Sequence, residues 1–214
     1  MRGKLHFVRH KLMSDSACLY TGLWDAANHH REGYGVQLWP DGARYEGQWK
    51  DDQACGEGRF ILADGDYYVG DWATDKANGE GEYIYLDGTR YKGHWKEDRF
   101  HGQGEERWTD GSLYRGTYEE GLKNGQGFFK WEDGATYMGQ WRSNKMHGRG
   151  TFIWKDGRKY IGEYKNDLKH GLGSFFWSDG RTYQGGWCKG KMNGVGKITG
   201  PRTPLSEKFT NVPH

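Results

Sequence analysis

Residues 45–65 read YEGQWKDDQACGEGRFILADG, and this stretch decides the fold because its pattern returns every 23 residues. Each copy has Tyr-x-Gly-x-Trp or Tyr-x-Gly-x-Tyr, then a Gly-x-Gly that begins eleven residues after the first Tyr, and then Asp-Gly. The copies in strict register begin at Tyr45, Tyr68, Tyr91, Tyr114, Tyr137, Tyr160 and Tyr183. An earlier copy from Tyr20 carries two extra residues, and the eighth copy lacks the Asp-Gly. Such a tandem repeat predicts an array of similar supersecondary units.

The copies define three regions of the chain. Eight repeats cover residues 20–200, with an N-terminal arm at residues 1–19 and a C-terminal tail at residues 201–214. The apolar residues of the arm fit a helix and a strand equally, and we expect the arm to cap the edge of the first hairpin, because exposed edges invite unwanted pairing. The basic start of the arm fits either a plain arm or a mitochondrial targeting segment.

Each copy predicts a β-hairpin. Strand side chains alternate between faces, so Tyr, Gly and Trp of the motif lie on one face of the first strand. The six residues from Lys50 are expected to turn the chain, and the second strand is expected to open at Gly56 and to carry rings such as Phe60 at alternate positions. Rings of one strand can cover glycines of its neighbour. Because Asp-Gly favours a tight turn with positive φ, the sequence predicts an all-β antiparallel meander.

The composition supports this interpretation and excludes several classes of protein. Glycine occurs 36 times and aromatic residues form 16% of the chain, so the buried surface consists mainly of rings. The 31 basic and 29 acidic residues are mixed, which gives no nucleic-acid footprint. Cys18, Cys55 and Cys188 are odd in number and lack CxxC spacing, which predicts free thiols in a reducing compartment. No apolar stretch reaches the ~18 residues of a membrane-spanning helix.

The unit YxGxWxxxxxxGxGxxxxxDG resembles the MORN (membrane occupation and recognition nexus) repeat throughout residues 20–200. The resemblance implies an elongated, twisted, single-layer antiparallel sheet of tandem hairpins, curved into a groove lined by aromatic residues. Most family members are scaffolds, including ciliary radial-spoke components, cytoskeletal organisers and membrane tethers, and some bind phosphoinositides. MORN arrays also precede catalytic domains in certain lipid kinases and lysine methyltransferases. This chain departs from the motif at Tyr118 and Tyr164, which replace Trp, and at Glu106, which stands where other copies have Phe, Tyr or Gln.

Residue types that are used in catalysis occur in this chain at fixed positions of the repeat. No P-loop pattern occurs, and no Gly-x-Gly-x-x-Gly opens a helical stretch. His101, His147 and His170 precede a Gly-x-Gly where other copies carry Cys or Asn, so we interpret them as turn residues. His30, in the insertion of the first copy, has no second ligand at metal spacing. We therefore expect no enzyme activity, no metal and no cofactor.

A single-layer sheet leaves its aromatic face without a covering layer, and exposed apolar surface usually marks a binding site. Tyr and Trp are also favoured interface anchors. We expect a groove that receives an extended peptide or a helix, with Glu106 pairing an incoming Lys or Arg. The predicted groove residues are Tyr68, Trp72, Tyr91, Trp95, Glu106, Trp108, Tyr114, Tyr118, Trp131, Tyr137 and Trp141.

The opposite face is expected to change from polar to apolar along the chain. Its hydrophobic residues in the later copies predict a second interface and self-association through the C-terminal repeats. These residues are Phe128, Met138, Ile153, Ile161 and Phe176.

Two functions fit these features of the sequence. The first is a non-enzymatic scaffold or adaptor that binds protein partners, as a cytoplasmic subunit of a large cytoskeletal or ciliary (axonemal) assembly. The alternative is a peripheral tether that binds phosphoinositides in a membrane. Membrane binding needs basic residues gathered on one side, whereas Lys and Arg are matched by Asp and Glu in almost every copy. The charge pattern therefore favours the scaffold, and no nucleic-acid partner is expected.

Overall fold

The computed structural model describes residues 5–13, 17–200 and 208–209. The chain divides into two compact units, Met1–Thr109 and Asp110–His214. In each unit, consecutive strands pair antiparallel, and the described residues contain strands and turns without a helix. The predicted fold class, an all-β antiparallel sheet built from tandem hairpins, is confirmed.

The first unit holds nine strands. They are β1 (Leu5–Leu12), β2 (Leu19–Asp25), β3 (His30–Leu38), β4 (Arg44–Lys50), β5 (Gln53–Ile61), β6 (Tyr67–Ala73), β7 (Lys76–Ile84), β8 (Arg90–Lys96) and β9 (Arg99–Arg107). The N-terminal arm supplies β1, which pairs with β2 and so lies along the edge of the first hairpin.

The second unit continues the same pattern. Its strands are β10 (Leu113–Glu119), β11 (Leu122–Lys130), β12 (Thr136–Arg142), β13 (Lys145–Ile153), β14 (Lys159–Lys165), β15 (Leu168–Phe176), β16 (Thr182–Cys188), β17 (Lys191–Thr199) and β18 (Lys208–Phe209). The backbone of β18 pairs with β17. The remaining tail residues, 201–207 and 210–214, lie outside the described part of the chain.

The turn inside each repeat is shorter than the sequence predicted. In the copy from Tyr45, β4 runs to Lys50 and β5 already begins at Gln53, so the six-residue turn and the strand start at Gly56 were wrong. Only Asp51 and Asp52 connect the strands, with φ of 48° and 66°. Positive φ at both residues is the mark of a type I′ turn, whose twist matches that of the paired strands. Short polar side chains tolerate this conformation best.

The turn between repeats is the predicted Asp-Gly turn. The Gly65 N–H donates to the Leu62 carbonyl at 3.1 Å, and Gly65 has a φ of 99°. A type I turn that ends in a glycine of positive φ is a common hairpin connection. The Asp64 carboxylate accepts the Asp66 N–H at 3.1 Å, which explains why the repeat keeps Asp at this position.

A tyrosine ring and two glycines form the core of each hairpin. Gly47 lies opposite Gly58, and a Cβ added at Gly47 would sit 2.6 Å from the Gly58 Cα, so neither strand can carry a side chain here. The Tyr45 ring fills the space above both glycines. Beyond this pair the register shifts, and the Tyr45 hydroxyl donates to the carbonyl of Gln48 at 3.0 Å. The ring therefore replaces two missing side chains and also satisfies a carbonyl at the bulge.

This hydrogen bond recurs in all eight copies, with donor–acceptor distances from 2.7 to 3.1 Å. Five of the tryptophans add a bond to the preceding copy, such as the one from Trp72 Nε1 to the Gly58 carbonyl at 3.2 Å. The equivalent donors are Trp49, Trp72, Trp95, Trp141 and Trp187. These tryptophans therefore connect each of their copies to the preceding one, and their indole N–H groups are hydrogen-bonded.

Removing the hydroxyl of one core tyrosine should destabilise the fold measurably. In Tyr68→Phe the Asp71 carbonyl loses its 2.9 Å donor. We expect the free energy of unfolding to fall by about 1–3 kcal/mol, because an acceptor is left unsatisfied beside a buried ring. Its neighbour Tyr67 is half-buried and serves as a matched control, for which Tyr67→Phe should cost less than ~0.5 kcal/mol. Urea unfolding followed by circular dichroism measures both, and equal losses would contradict this role for the hydroxyl.

The core tyrosines should resist ionisation until the fold opens. Burial raises the pKa of Tyr20 to about 12, and burial likewise raises the pKa of Tyr45, Tyr68, Tyr91, Tyr137, Tyr160 and Tyr183. A group whose pKa is higher in the folded chain stabilises it below the unfolded pKa of ~10, and this stability is lost as pH rises through the folded pKa. We expect tyrosinate absorbance of these rings to appear together with loss of the β-sheet dichroism above pH ~10. Full ionisation of these tyrosines near pH ~10, with an unchanged β-sheet dichroism, would contradict this expectation.

Candidate functional site

The predicted groove residues lie on one face within each unit, but most of their rings are covered. Seven of them are at most 7% exposed, namely Tyr68, Tyr91, Trp95, Tyr114, Tyr118, Tyr137 and Trp141. The Tyr68 ring, for example, packs edge-on against Trp95 of the next copy with centroids 4.9 Å apart. These seven residues form the core and offer a partner almost no surface, which corrects the prediction for them. Alternation gave the direction of each ring correctly but did not reveal the neighbour that covers it.

Four predicted groove residues keep accessible surface. Trp72, Glu106, Trp108 and Trp131 are half-buried. Glu106 lies opposite Tyr91 in the sheet, and burial together with the Glu106 carboxylate raises the pKa of Tyr85. Glu106 is therefore already part of the electrostatics of the fold, and its pairing with an incoming Lys or Arg stays a prediction.

A row of aromatic rings, each in tilted or edge contact with the next, runs along the edge of the aromatic face in the second unit. We call it the aromatic rim, and it comprises Phe129, Trp131, Phe152, Trp154, Phe175 and Trp177. Successive ring centroids are 4.5 to 5.5 Å apart. All but Phe175 are half-buried. The sequence carried the signal for the rim, which is an aromatic residue two and four positions after the second Gly of each Gly-x-Gly, but the predicted site included only Trp131.

The chain places its own cations over some of these rings. The Arg31 guanidinium lies 3.9 Å from the centroid of Trp49. Lys169 Nζ lies 4.9 Å from the centroids of Trp154 and Phe175, and burial lowers the pKa of this lysine. Cation–π contact is favourable when the cation is shielded from water. The aromatic face therefore already accepts positive charge within the fold, a property that the sequence pattern did not reveal.

The aromatic face of the first unit contains a cavity of about 440 Å³. Its walls include the rings of Trp39, Phe60 and Trp72, and the carboxylates of Asp75 and Asp98. Trp39 and Phe60 contact edge-to-face with centroids 5.5 Å apart. A volume of this size is within the ~300–1,000 Å³ of typical ligand pockets.

The opposite face has different chemistry in the two units. In the first unit it lines a concavity of about 800 Å³ with carboxylates in excess over Arg59 and Lys92. The carboxylates are those of Glu46, Glu57, Asp71, Glu80 and Glu82. In the second unit a concavity of about 780 Å³ is lined by Met138, Ile161 and Leu172, with one residue of each charge, Arg149 and Glu163.

The predicted second-face residues lie around or near this concavity of the second unit with much of their surface free. Met138, Ile153 and Ile161 are exposed, with Met138 the most exposed of them at 64%. Phe128 and Phe176 are half-buried. Their role as an interface stays a prediction.

The histidines are placed differently from the prediction. His101, His147 and His170 lie within β9, β13 and β15 and not in turns, because the second strand begins before the Gly-x-Gly. His30 does have neighbours, since its Nδ1 is 3.8 Å from Glu32 and its Nε2 is 3.6 Å from Asp51. The two carboxylates face opposite nitrogens of the ring, and we assign no metal to the group.

The cysteines are free thiols, as predicted. Cys18 is buried, whereas Cys55 and Cys188 are half-buried, and burial raises the pKa of Cys55. An apolar helix of membrane-spanning length does not occur in the described residues.

Comparison with known proteins identifies the repeated unit. The family model of the MORN repeat matches residues 20–44, 45–67, 68–90, 91–113, 114–136, 137–157, 160–180 and 183–202. No curated protein matches the chain.

Two solved structures resemble the fold at low identity. The SAS-4 (dCPAP) TCP domain of Drosophila melanogaster, in complex with a proline-rich motif of Ana2 (dSTIL), is 12% identical with a TM-score of 0.43, over 71% of this chain and 83% of that chain. The TCP10c domain of Drosophila melanogaster Sas-4 is 10% identical with a TM-score of 0.39, over 70% of this chain and 90% of that chain. At these scores the likeness carries no conclusion about partners.

Proposed function

Because the chain belongs to the MORN-repeat family, we propose that it is a non-enzymatic scaffold or adaptor that binds protein partners along its aromatic face. The aromatic rim of the second unit carries this proposal, since five of its six rings keep accessible surface and none is covered by a further layer of the described chain. Clustered Trp and Phe side chains are typical anchors of protein interfaces. We further propose a cytoplasmic location in a large cytoskeletal or ciliary assembly, which rests on the family resemblance.

The titration properties of the chain support a non-enzymatic role. Catalytic sites typically combine perturbed acids and bases in one cleft. Here the large pKa shifts belong mainly to core tyrosines, and in the copies of Tyr45, Tyr68 and Tyr160 the hydroxyl already donates to a backbone carbonyl. The hydroxyls of these tyrosines therefore serve the fold, by satisfying backbone carbonyls beside the buried rings.

Partner capture with rim variants tests the proposal. Trp131→Leu should keep the fold, because Leu62 occupies the equivalent position in the second copy, yet it removes one half-buried ring of the rim. We expect crosslinking and affinity purification to recover fewer partners with this variant than with the natural chain. Glu106→Phe should fold well and alter which partners are recovered. An exposed leucine of a turn, Leu86, provides the control Leu86→Ser.

An unchanged set of partners with both Trp131→Leu and Glu106→Phe would overturn the proposed binding face. Sedimentation with phosphoinositide-containing vesicles at physiological salt tests the alternative. Binding to these vesicles, with no protein captured, would favour a lipid tether over a scaffold.

We also propose that the apolar opposite face of the second unit pairs with a second copy of the chain. Exposed Met138 and Ile161 beside Leu172 support this, since the same face of the first unit is lined by carboxylates instead. Light scattering should show a dimer at micromolar concentration, and Met138→Asp should shift the chain to monomer without changing its thermal unfolding. The control Val69→Asp, an exposed position on the first unit, should leave the mass unchanged. A natural chain that stays monomeric across this range would contradict self-association.

A further inference from the structure

In six repeats, the second strand is held by the turn of the next repeat at one position. In the first repeat the residue at this position is Arg31, which has a long side chain. Its N–H donates to Asp52 Oδ1 at 2.7 Å, and the Asp52 N–H donates to the Arg31 carbonyl at 3.2 Å. The Arg31 Nε donates to the same carboxylate oxygen at 3.0 Å while the guanidinium lies over Trp49. We call the space above this tryptophan and beside this aspartate the cation slot.

One repeat later the same backbone contacts hold an alanine. The Ala54 N–H donates to Asp75 Oδ1 at 2.7 Å, and the Asp75 N–H donates to the Ala54 carbonyl at 3.1 Å. Trp72 stands in the position of Trp49. A methyl group reaches neither the ring face nor the carboxylate, so this copy of the slot is open. The 440 Å³ cavity is the resulting space, and Ala54, Trp72 and Asp75 all line it.

We propose that this open slot binds the side chain of an arginine from a partner protein, in the position that Arg31 takes in the preceding repeat. The inference rests on the proposed scaffold function and names the chemistry of one contact. A guanidinium fits because it is planar, stacks on an aromatic ring and donates several hydrogen bonds to a carboxylate.

The charges of the cavity favour a cation. Asp75 and Asp98 contribute two carboxylates, whereas the charge of Arg31 is already paired with Asp52. Phe60 stands where the first slot has Gln37, so the open slot exchanges one hydrogen-bond acceptor for a second ring near Trp72. Desolvated rings beside carboxylates strengthen the attraction of a bound cation.

Other repeats show that a cation is an ordinary occupant of this position. Lys123 and Lys169 occupy the position of Arg31 in two repeats of the second unit, where the other two repeats have Met146 and Met192. Lys169 lies over Trp187 of the next repeat, as Arg31 lies over Trp49, whereas Lys123 lies over Tyr114 of its own repeat. The Lys123 N–H donates to Asn144 Oδ1 at 2.7 Å, which shows that Asn can replace Asp in the turn without loss of the backbone contact. The array thus supplies natural precedents for both a filled slot and an uncharged turn.

Peptide titration of the full chain tests the slot. The probe is acetyl-Gly-Arg-Gly-amide, with citrulline and lysine in place of arginine as comparison peptides. The readout is the indole N–H resonance of Trp72, assigned with Trp72→Phe. The arginine peptide should shift this resonance at millimolar concentration, the lysine peptide should bind more weakly, and the uncharged citrulline peptide should leave it unchanged.

Two variants with precedents in the chain make the test specific. Ala54→Arg copies Arg31 and should abolish the shift by filling the slot. Asp75→Asn copies Asn144 and should weaken binding roughly tenfold, because it removes a charged hydrogen-bond partner but keeps the turn. Unchanged indole resonances of tryptophans that do not line the cavity, such as Trp141 and Trp187, report an intact fold.

Equal shifts with arginine and citrulline, binding that survives in Ala54→Arg, or no shift at Trp72 would each overturn the proposed slot. These results are separate from partner capture. Partners captured equally by the natural chain and by Ala54→Arg, with no peptide shift, would refute the slot and leave the scaffold function standing. A specific peptide shift without captured partners would support the slot and refute the scaffold function.

Discussion

The packing of one tyrosine over two facing glycines governs every repeat. The backbones at Gly47 and Gly58 approach too closely for side chains, and the Tyr45 ring takes the volume that they would have filled. The hydroxyl then satisfies a carbonyl where the register shifts. Ring, glycines and bulge depend on one another, so a change in any one affects all three. The first copy keeps the Tyr20 bond to the Leu23 carbonyl despite its longer turn, which shows that the turn is the more tolerant element.

The contacts between repeats explain how such a glycine-rich chain is stabilised. Each tyrosine is covered by a ring of its own copy and often by one of the next, as Tyr45 is by Trp49 and Trp72. The turn aspartate adds paired hydrogen bonds to the preceding copy, as Asp75 does at Ala54. A repeat buries its rings only against neighbours, so stability is distributed over nearest-neighbour contacts. Tyr164 adds no hydrogen bond of this kind, because its buried hydroxyl has no hydrogen-bond partner among the described residues.

The repeats vary at positions other than the core tyrosine and its two facing glycines. The residue equivalent to Arg31 changes from cation to alanine between copies while its backbone contacts stay the same. Side chains of the opposite face change from carboxylates in the first unit to Met and Ile in the second. Binding properties can therefore differ from copy to copy at little cost in fold stability.

The sequence alone determined the number of repeats, the alternation of faces, the all-β class and the Asp-Gly turn, because these depend on spacing and on local conformational preference. It misjudged the inner turn, because a I′ turn at Asp51 and Asp52 needs only two residues and the polar Gln53 gave no sign of its strand. Only the tertiary structure decided which rings are accessible. Tyr68 and Trp131 look equivalent as anchors in the sequence, but Trp95 covers the first while the second lies on the rim. Periodicity fixes the direction of a side chain, whereas its burial depends on which neighbours the paired strands bring over it.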